Sequence, residues 1–185
     1  MAARPLRRLR STIGRVPTAA SRAMSTNRIS SFFVYGTLRP DDVSGQRWTK
    51  EFLTSASSCR SSQLADHSLY ISPNRYPHAV PRKGGVVRGT LVEFPEVLMP
   101  EKLSFADEVE GVNFKDQTSE HGYKRVDVEV VTDGENPDKI SRAKDKPVQT
   151  WVYIKDSCDP GAEEIPEGDF VAYYMQMRPH MMTFE

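Results

Sequence analysis

The chain has 185 residues, 25 Lys+Arg against 25 Asp+Glu, and two Cys. A chain of this length fits one domain, or one domain plus a tail, and buries enough surface to need no disulfide or metal as a staple. Cys59 and Cys158 make neither a disulfide framework nor a Cys-rich zinc site, and no run of about 18 apolar residues is present to span a membrane.

The zero net charge averages two unlike pieces. Residues 1–30 hold seven Arg (Arg4, Arg7, Arg8, Arg10, Arg15, Arg22, Arg28), no Lys and no acid, which leaves 31–185 with 18 basic and 25 acidic side chains, a net of −7. An Arg-, Ser-, Thr- and Ala-rich start without acids has the composition of an organelle transit peptide. No apolar stretch of about 7–15 residues follows to make it a secretory signal. A nucleic-acid-binding arm and a plain disordered tail are the competing readings. The head lacks the Lys and the stacking aromatics that nucleic-acid arms carry. The expectation is a disordered basic segment over 1–30, a mitochondrial address, ahead of one domain over 31–185. Met24, followed by Ser25 and Thr26, offers a second start that would yield a cytoplasmic form.

The first strand is Phe32-Phe33-Val34-Tyr35, apolar, aromatic and β-branched, stopped by Gly36. Thr37-Leu38-Arg39-Pro40 and an acidic turn over 41–45 follow. Trp48, Phe52 and Leu53 recur on one face of a short helix. The Ser-rich stretch 55–62 reads as loop or polar strand, Leu69-Tyr70-Ile71 as strand, and 72–85, with Pro73, Pro77, Pro81, Gly84 and Gly85, as loop. Residues 86–94 are β-rich, with Gly89 marking a bulge or a close approach by another backbone.

A helix is predicted over 101–109. Leu103, Ala106 and Glu110 share its face, and Gly111 is the natural stop. After a loop over 112–122, Tyr123 to Val131 alternates most clearly, with Val126, Val128 and Val130 on one side. Residues 132–147 read as an exposed connection, Val148 to Ile154 as the last strand and Asp169 to Gln176 as a closing helix. About six strands in a single domain, linked by loops or short flanking helices without regular βα alternation, favour an α+β fold or a small barrel over a doubly wound parallel sheet. No phosphate-binding Gly motif and no GxSxG elbow is present, and His67, His78, His121 and His180 have no metal-ligand spacing.

The run Val34-Tyr35-Gly36-Thr37-Leu38-Arg39 resembles the opening signature of the gamma-glutamyl cyclotransferase-like family. Further matches follow in the family's order: Tyr76-Pro77; Val87-Arg88-Gly89-Thr90-Leu91-Val92; Asp107-Glu108-Val109-Glu110-Gly111; Tyr123-Lys124-Arg125; Trp151-Val152-Tyr153; and Gly168-Asp169-Phe170. The compact YGTLR form is most similar to the gamma-glutamylamine cyclotransferase, or avirulence-induced-gene-like, branch. Ala106-Asp107 departs from the family's usual Leu-Asp, and 112–122 and 132–147 look like insertions.

The resemblance implies a small mixed barrel and a cofactor-free, metal-independent cyclotransferase. In that reaction a gamma-glutamyl compound cyclises to 5-oxoproline and releases an amine. The expected partner is that small molecule, with no nucleic acid and no membrane, and a monomer is the default. The chemistry sets definite demands. The substrate's α-ammonium, with a pKa of roughly 8, must lose a proton before its nitrogen can attack. The leaving nitrogen must gain one. A single carboxylate can serve both steps, and the oxyanion needs preorganised N–H donors.

The resemblance makes Glu110 the catalytic carboxylate, and its helical face directs it inward, where burial raises a carboxyl pKa. Asp107 reads as a structural hydrogen-bonding group or a second acid, and Glu108 as surface. Tyr35, Gly36, Thr37 and Leu38 are expected to offer main-chain N–H groups to the substrate carboxylate or the γ-carbonyl oxygen, with Gly36 allowing close approach. Tyr123 is a pocket wall with its hydroxyl aimed at the ligand, or a core aromatic. Arg39 either holds a carboxylate or pairs with a surface acid, Tyr76 sits in the Pro-rich loop, and Arg125 makes a structural ion pair. The rival reading is a non-catalytic binding or regulatory module that holds a small anionic metabolite in the same pocket.

Overall fold

The computed structural model describes residues 29–113, 118–119, 121–133 and 147–181. The expectations for 1–28, and for most of the connection over 132–147, lie outside the described residues. Pairing starts one residue before the expected boundary, where the Phe94 N–H donates to the Ser30 carbonyl at 2.9 Å.

Five strands close into a mixed barrel: Ser31–Val34 (β1), Ser58–Ile71 (β2), Pro77–Glu93 (β3), Lys124–Thr132 (β6) and Val148–Ile154 (β7). Around the ring the order is β1, β7, β6, β2, β3 and back to β1. Only the β1–β7 pairing is parallel. A short strand, Glu163–Glu164 (β8), adds to β2, and Val112–Asn113 (β4) pairs with Thr118–Ser119 (β5) as a separate ribbon. The helices are Arg47–Phe52 (α1), Met99–Glu110 (α2) and Phe170–Met181 (α3).

β1 is apolar without alternation because both of its faces are covered. Phe33 joins Leu64, Leu69, Leu91, Val130 and Val152 inside the barrel. Phe32 and Val34 lie on the other side, in a second cluster with Phe52 of α1 and Met99 and Ala106 of α2. There Phe32, Phe52 and Phe94 meet edge to face, with centroids 5.3–6.0 Å apart. Such pairs add about 0.5–1.5 kcal/mol each beyond area burial. β6 alternates from Val126 onward as expected, with Asp127 and Glu129 exposed and Val130 buried. Gly89 sits where a Cβ would fall 2.5 Å from the Val34 carbonyl oxygen, the close backbone approach anticipated for it.

The expected loop over 72–85 is the main correction. The turn spans only 72–76, and β3 begins at Pro77. Proline is tolerated there because β1 covers β3 only at 90–93, so Pro77 opens the strand and Pro81 lies on an uncovered stretch. Pro81 also borders the register shift opposite Ala65 to His67, where Gly84 takes φ +80° and its N–H donates to Asp66 at 2.8 Å. The ambiguous 58–62 segment is strand, and part of 112–122 forms β4 and β5.

Candidate active site

A cavity of about 600 Å³ opens at one end of the barrel. The ladder explains its composition. β1 and β7 end at this rim, antiparallel β6 begins there, and the β2–β3 turn closes over it. The wall therefore gathers Tyr35 to Leu38 after β1, Tyr76 and Pro77 at the turn, Tyr123 before β6, Tyr153 and Lys155 from the end of β7, and Glu110 from α2.

α2 carries Glu110 to the wall by its last turn. Gly111 ends the helix at φ +64°, a left-handed cap that glycine adopts without Cβ strain. One turn earlier, Asp107 accepts hydrogen bonds from Arg125 Nη1 and the Tyr153 hydroxyl, both at 2.7 Å. This network ties the helix end to β6 and β7, so Asp107 and Arg125 have the structural roles expected of them. Glu108 is exposed.

The Glu110 carboxyl can be reached from the cavity, yet protein packs closely around it. Burial pushes its pKa up to about 7 from an ordinary 4.5, and the Lys155 ammonium opposes that rise. No hydrogen bond to the carboxylate is present among the described residues. Near neutral pH this group can therefore both accept and return a proton.

The aromatic hydroxyls around it are engaged by the scaffold. Tyr35 donates to the Tyr153 carbonyl at 2.6 Å and accepts from the Ala79 N–H at 3.1 Å. Tyr123 donates to the Pro77 carbonyl at 2.8 Å, so it walls the cavity with its ring while its proton is committed. Burial raises the pKa of Tyr35, Tyr123 and Tyr153, so their hydroxyls stay protonated near neutral pH.

The Gly36 to Leu38 turn is closed by the Arg39 N–H donating to the Gly36 carbonyl at 3.1 Å. The N–H groups of Gly36, Thr37 and Leu38 have no protein acceptor among the described residues. The Thr37 hydroxyl accepts from Trp48 Nε1 at 3.1 Å, and its carbonyl accepts from the Thr49 hydroxyl, which docks α1 onto the turn. The space beside Gly36 is taken by Pro77, whose Cγ would lie 2.7 Å from an added Cβ.

Arg39 lies apart from the cavity. Its buried guanidinium holds both Asp41 oxygens at 2.7–2.8 Å and Asp169 at 2.8 Å. Of its two readings, the structure favours the ion pair. Tyr76 is half exposed at the rim. Sequence reasoning missed Lys155, Asp159, His121 and Trp48, all of which line the cavity. The only signal for Lys155 was its place one residue beyond a strong strand, which decides neither its face nor its neighbours. Among the described residues no three His, Cys, Asp or Glu cluster as a metal ion would need.

The family described as gamma-glutamyl cyclotransferase, AIG2-like, matches residues 32–172. The chain belongs to this family. Its fold resembles that of an uncharacterized protein from Pyrococcus horikoshii, 21% identical, with a TM-score of 0.51 over 81% of this chain and 97% of that one. A protein from Arabidopsis thaliana known from its solution structure is 20% identical, with a TM-score of 0.50 over 82% of this chain and 85% of that one. An AIG2-like protein from Mus musculus is 24% identical, with a TM-score of 0.45 over 71% of this chain and 80% of that one. No curated protein matches the chain. The family match supports a gamma-glutamyl cyclotransferase-like activity.

Proposed function

We propose that this protein cyclises a gamma-glutamyl-amine or gamma-glutamyl amino acid to 5-oxoproline, with Glu110 as the proton carrier. The observation that carries the reading is a cavity-facing carboxyl that burial holds at a pKa of about 7. In the first step the Glu110 carboxylate takes a proton from the substrate's α-ammonium. The freed nitrogen attacks the γ-carbonyl carbon, and the oxygen becomes an oxyanion. The unpartnered N–H groups of Gly36, Thr37 and Leu38 are the donors for that charge. The tetrahedral species then collapses: Glu110 returns its proton to the leaving nitrogen, the bond to that nitrogen breaks, and the ring nitrogen's second proton passes to the released amine, which leaves as an ammonium beside the neutral lactam. Both nucleophile and electrophile belong to one substrate, so the cavity's main task is to hold a folded conformer.

The test is 5-oxoproline release from a panel of gamma-glutamyl amines and amino acids, for the parent and for Glu110→Gln. Release by the parent and a loss of about 10²–10⁴-fold in the variant support the reading. No release from any of them, with retained affinity for 5-oxoproline, would favour a binding module.

A further inference from the structure

We infer that Lys155 is the anchor for the α-carboxylate of the substrate, a role that rests on the gamma-glutamyl reading above. The cavity's recognition problem is the charge of its ligand. Every gamma-glutamyl compound carries a carboxylate and an ammonium on one carbon. Among the described residues lining the cavity, Lys155 is the one Lys or Arg. Arg39, the other candidate for this task, is already held by Asp41 and Asp169 outside the cavity.

The Lys155 side chain is built into its position. Its backbone N–H donates to the Ala79 carbonyl at 2.9 Å, which fixes the chain just beyond β7. The end of its stem lies against Gly122, about 4 Å from where a Cβ would stand. Its ammonium sits 4.8 Å from the centre of the Tyr123 ring and donates to both Asp159 oxygens at 2.8 and 2.9 Å. An ammonium has three N–H donors. With Asp159 holding two, the third is available to a ligand oxygen.

The anchor also orients the reaction. Lys155 and Glu110 line the same cavity, and the Lys155 charge opposes the rise of the Glu110 pKa. A carboxylate bound to Lys155 brings the ammonium on the same carbon toward Glu110, the group that must take its proton. The donors after β1 are then left for the γ-carbonyl oxygen. Asp159, itself backed by the buried His78 ring, acts as a positioning residue that holds the Lys155 head in place.

The test uses two probes that differ in this one group. 5-Oxoproline carries the carboxylate, and 2-pyrrolidinone is the same lactam without it. Calorimetric titration of the parent should find 5-oxoproline bound about 10- to 100-fold more tightly. Lys155→Met should bring the two affinities to within about threefold, with 2-pyrrolidinone unaffected. Lys155→Met with Asp159→Asn removes the pair together, leaves no unpaired acid, and should give the same result. A preference that survives in either folded variant, or that the parent lacks, overturns the anchor. The two readings fail separately. A parent that releases 5-oxoproline while its preference ignores Lys155 loses the anchor and keeps the activity. A parent that turns over no gamma-glutamyl compound yet needs Lys155 to prefer 5-oxoproline loses the activity and keeps the anchor.

Discussion

Gly36 and Pro77 meet across the mouth of the cavity so closely that a Cβ on Gly36 would fall 2.7 Å from Pro77 Cγ. The Pro77 ring is part of β3 and its carbonyl is bonded to Tyr123, so it cannot simply swing aside. Gly36→Val should therefore destabilise the fold by about 1–3 kcal/mol, as overpacking does, and weaken 5-oxoproline binding. Thr37→Ala removes only the acceptor of the Trp48 indole and should cost about 1 kcal/mol with a smaller loss of affinity. Urea melts and calorimetry on both variants check this. Equal, negligible effects would remove the turn from the site.

Glu110 should govern the acid side of the pH–rate profile. With its pKa at about 7, kcat/KM should rise tenfold per pH unit below neutrality and level off above it. The Lys155 ammonium holds this value below where burial alone would put it. Lys155→Met should therefore move the limb to higher pH, and Glu108→Gln, on the exposed side of the helix, should leave it in place.

The same group makes stability depend on pH. Its folded value of about 7 lies above its ordinary value of 4.5, so the folded protein binds this proton more tightly than the unfolded chain. Glu110 thus withdraws stability as pH rises from 4.5 through 7, by about 3 kcal/mol in all. Glu110→Gln has no such titration. Its melting temperature relative to the parent should climb across that window, by about 10 °C for a domain of this size. A constant offset between pH 4 and pH 8 would show that the carboxyl is not held in the protonated form.

Tyr123→Phe separates wall from ligand contact. The lost donor to the Pro77 carbonyl should cost about 1 kcal/mol of stability. Turnover should stay within a few-fold of the parent, because the ring and its contact with the Lys155 ammonium remain. A loss of kcat beyond about 100-fold with an unchanged melt would make the hydroxyl part of the chemistry.

Arg39→Met tests the separation of frame from site. Asp169, one of the carboxylates it releases, also caps α3 through the Val171 and Ala172 N–H groups. Both Asp partners are partly open to water, so the loss should be moderate, about 1–3 kcal/mol in urea melts. KM measured below the unfolding transition should match the parent. A large rise in KM without loss of stability would return Arg39 to the substrate.

The elements legible in the chain were those whose local pattern and tertiary setting agree. Val148 to Ile154 and the alternating Val126, Val128 and Val130 form strands as read, and Gly111 ends the helix that carries Glu110. The motif residues that lie in sequence on one loop or one helix face, Tyr35 to Leu38 and Glu110, could be named because their spacing is local. Where pattern and setting conflict, the reading failed. Pro77, Pro81, Gly84 and Gly85 look like a loop, yet they belong to β3. The barrel leaves that stretch of the strand uncovered on one side, so the missing N–H groups cost no ladder bond.

What the chain determined by itself was that a helix ends at Glu110 before Gly111 and that β1 runs into a turn at Gly36, because both are written in contiguous residues. The tertiary structure alone decided which charges face one another. Arg39 and Lys155 are both cations beside strong strands, and nothing in the linear order distinguishes them. Closure of the barrel puts Arg39 between Asp41 and Asp169, away from the cavity, and sets Lys155 over Tyr123 on its wall. Asp41 is a local partner, but the Arg39–Asp169 and Lys155–Tyr123 contacts join segments more than 25 residues apart in the chain, and no local periodicity encodes those.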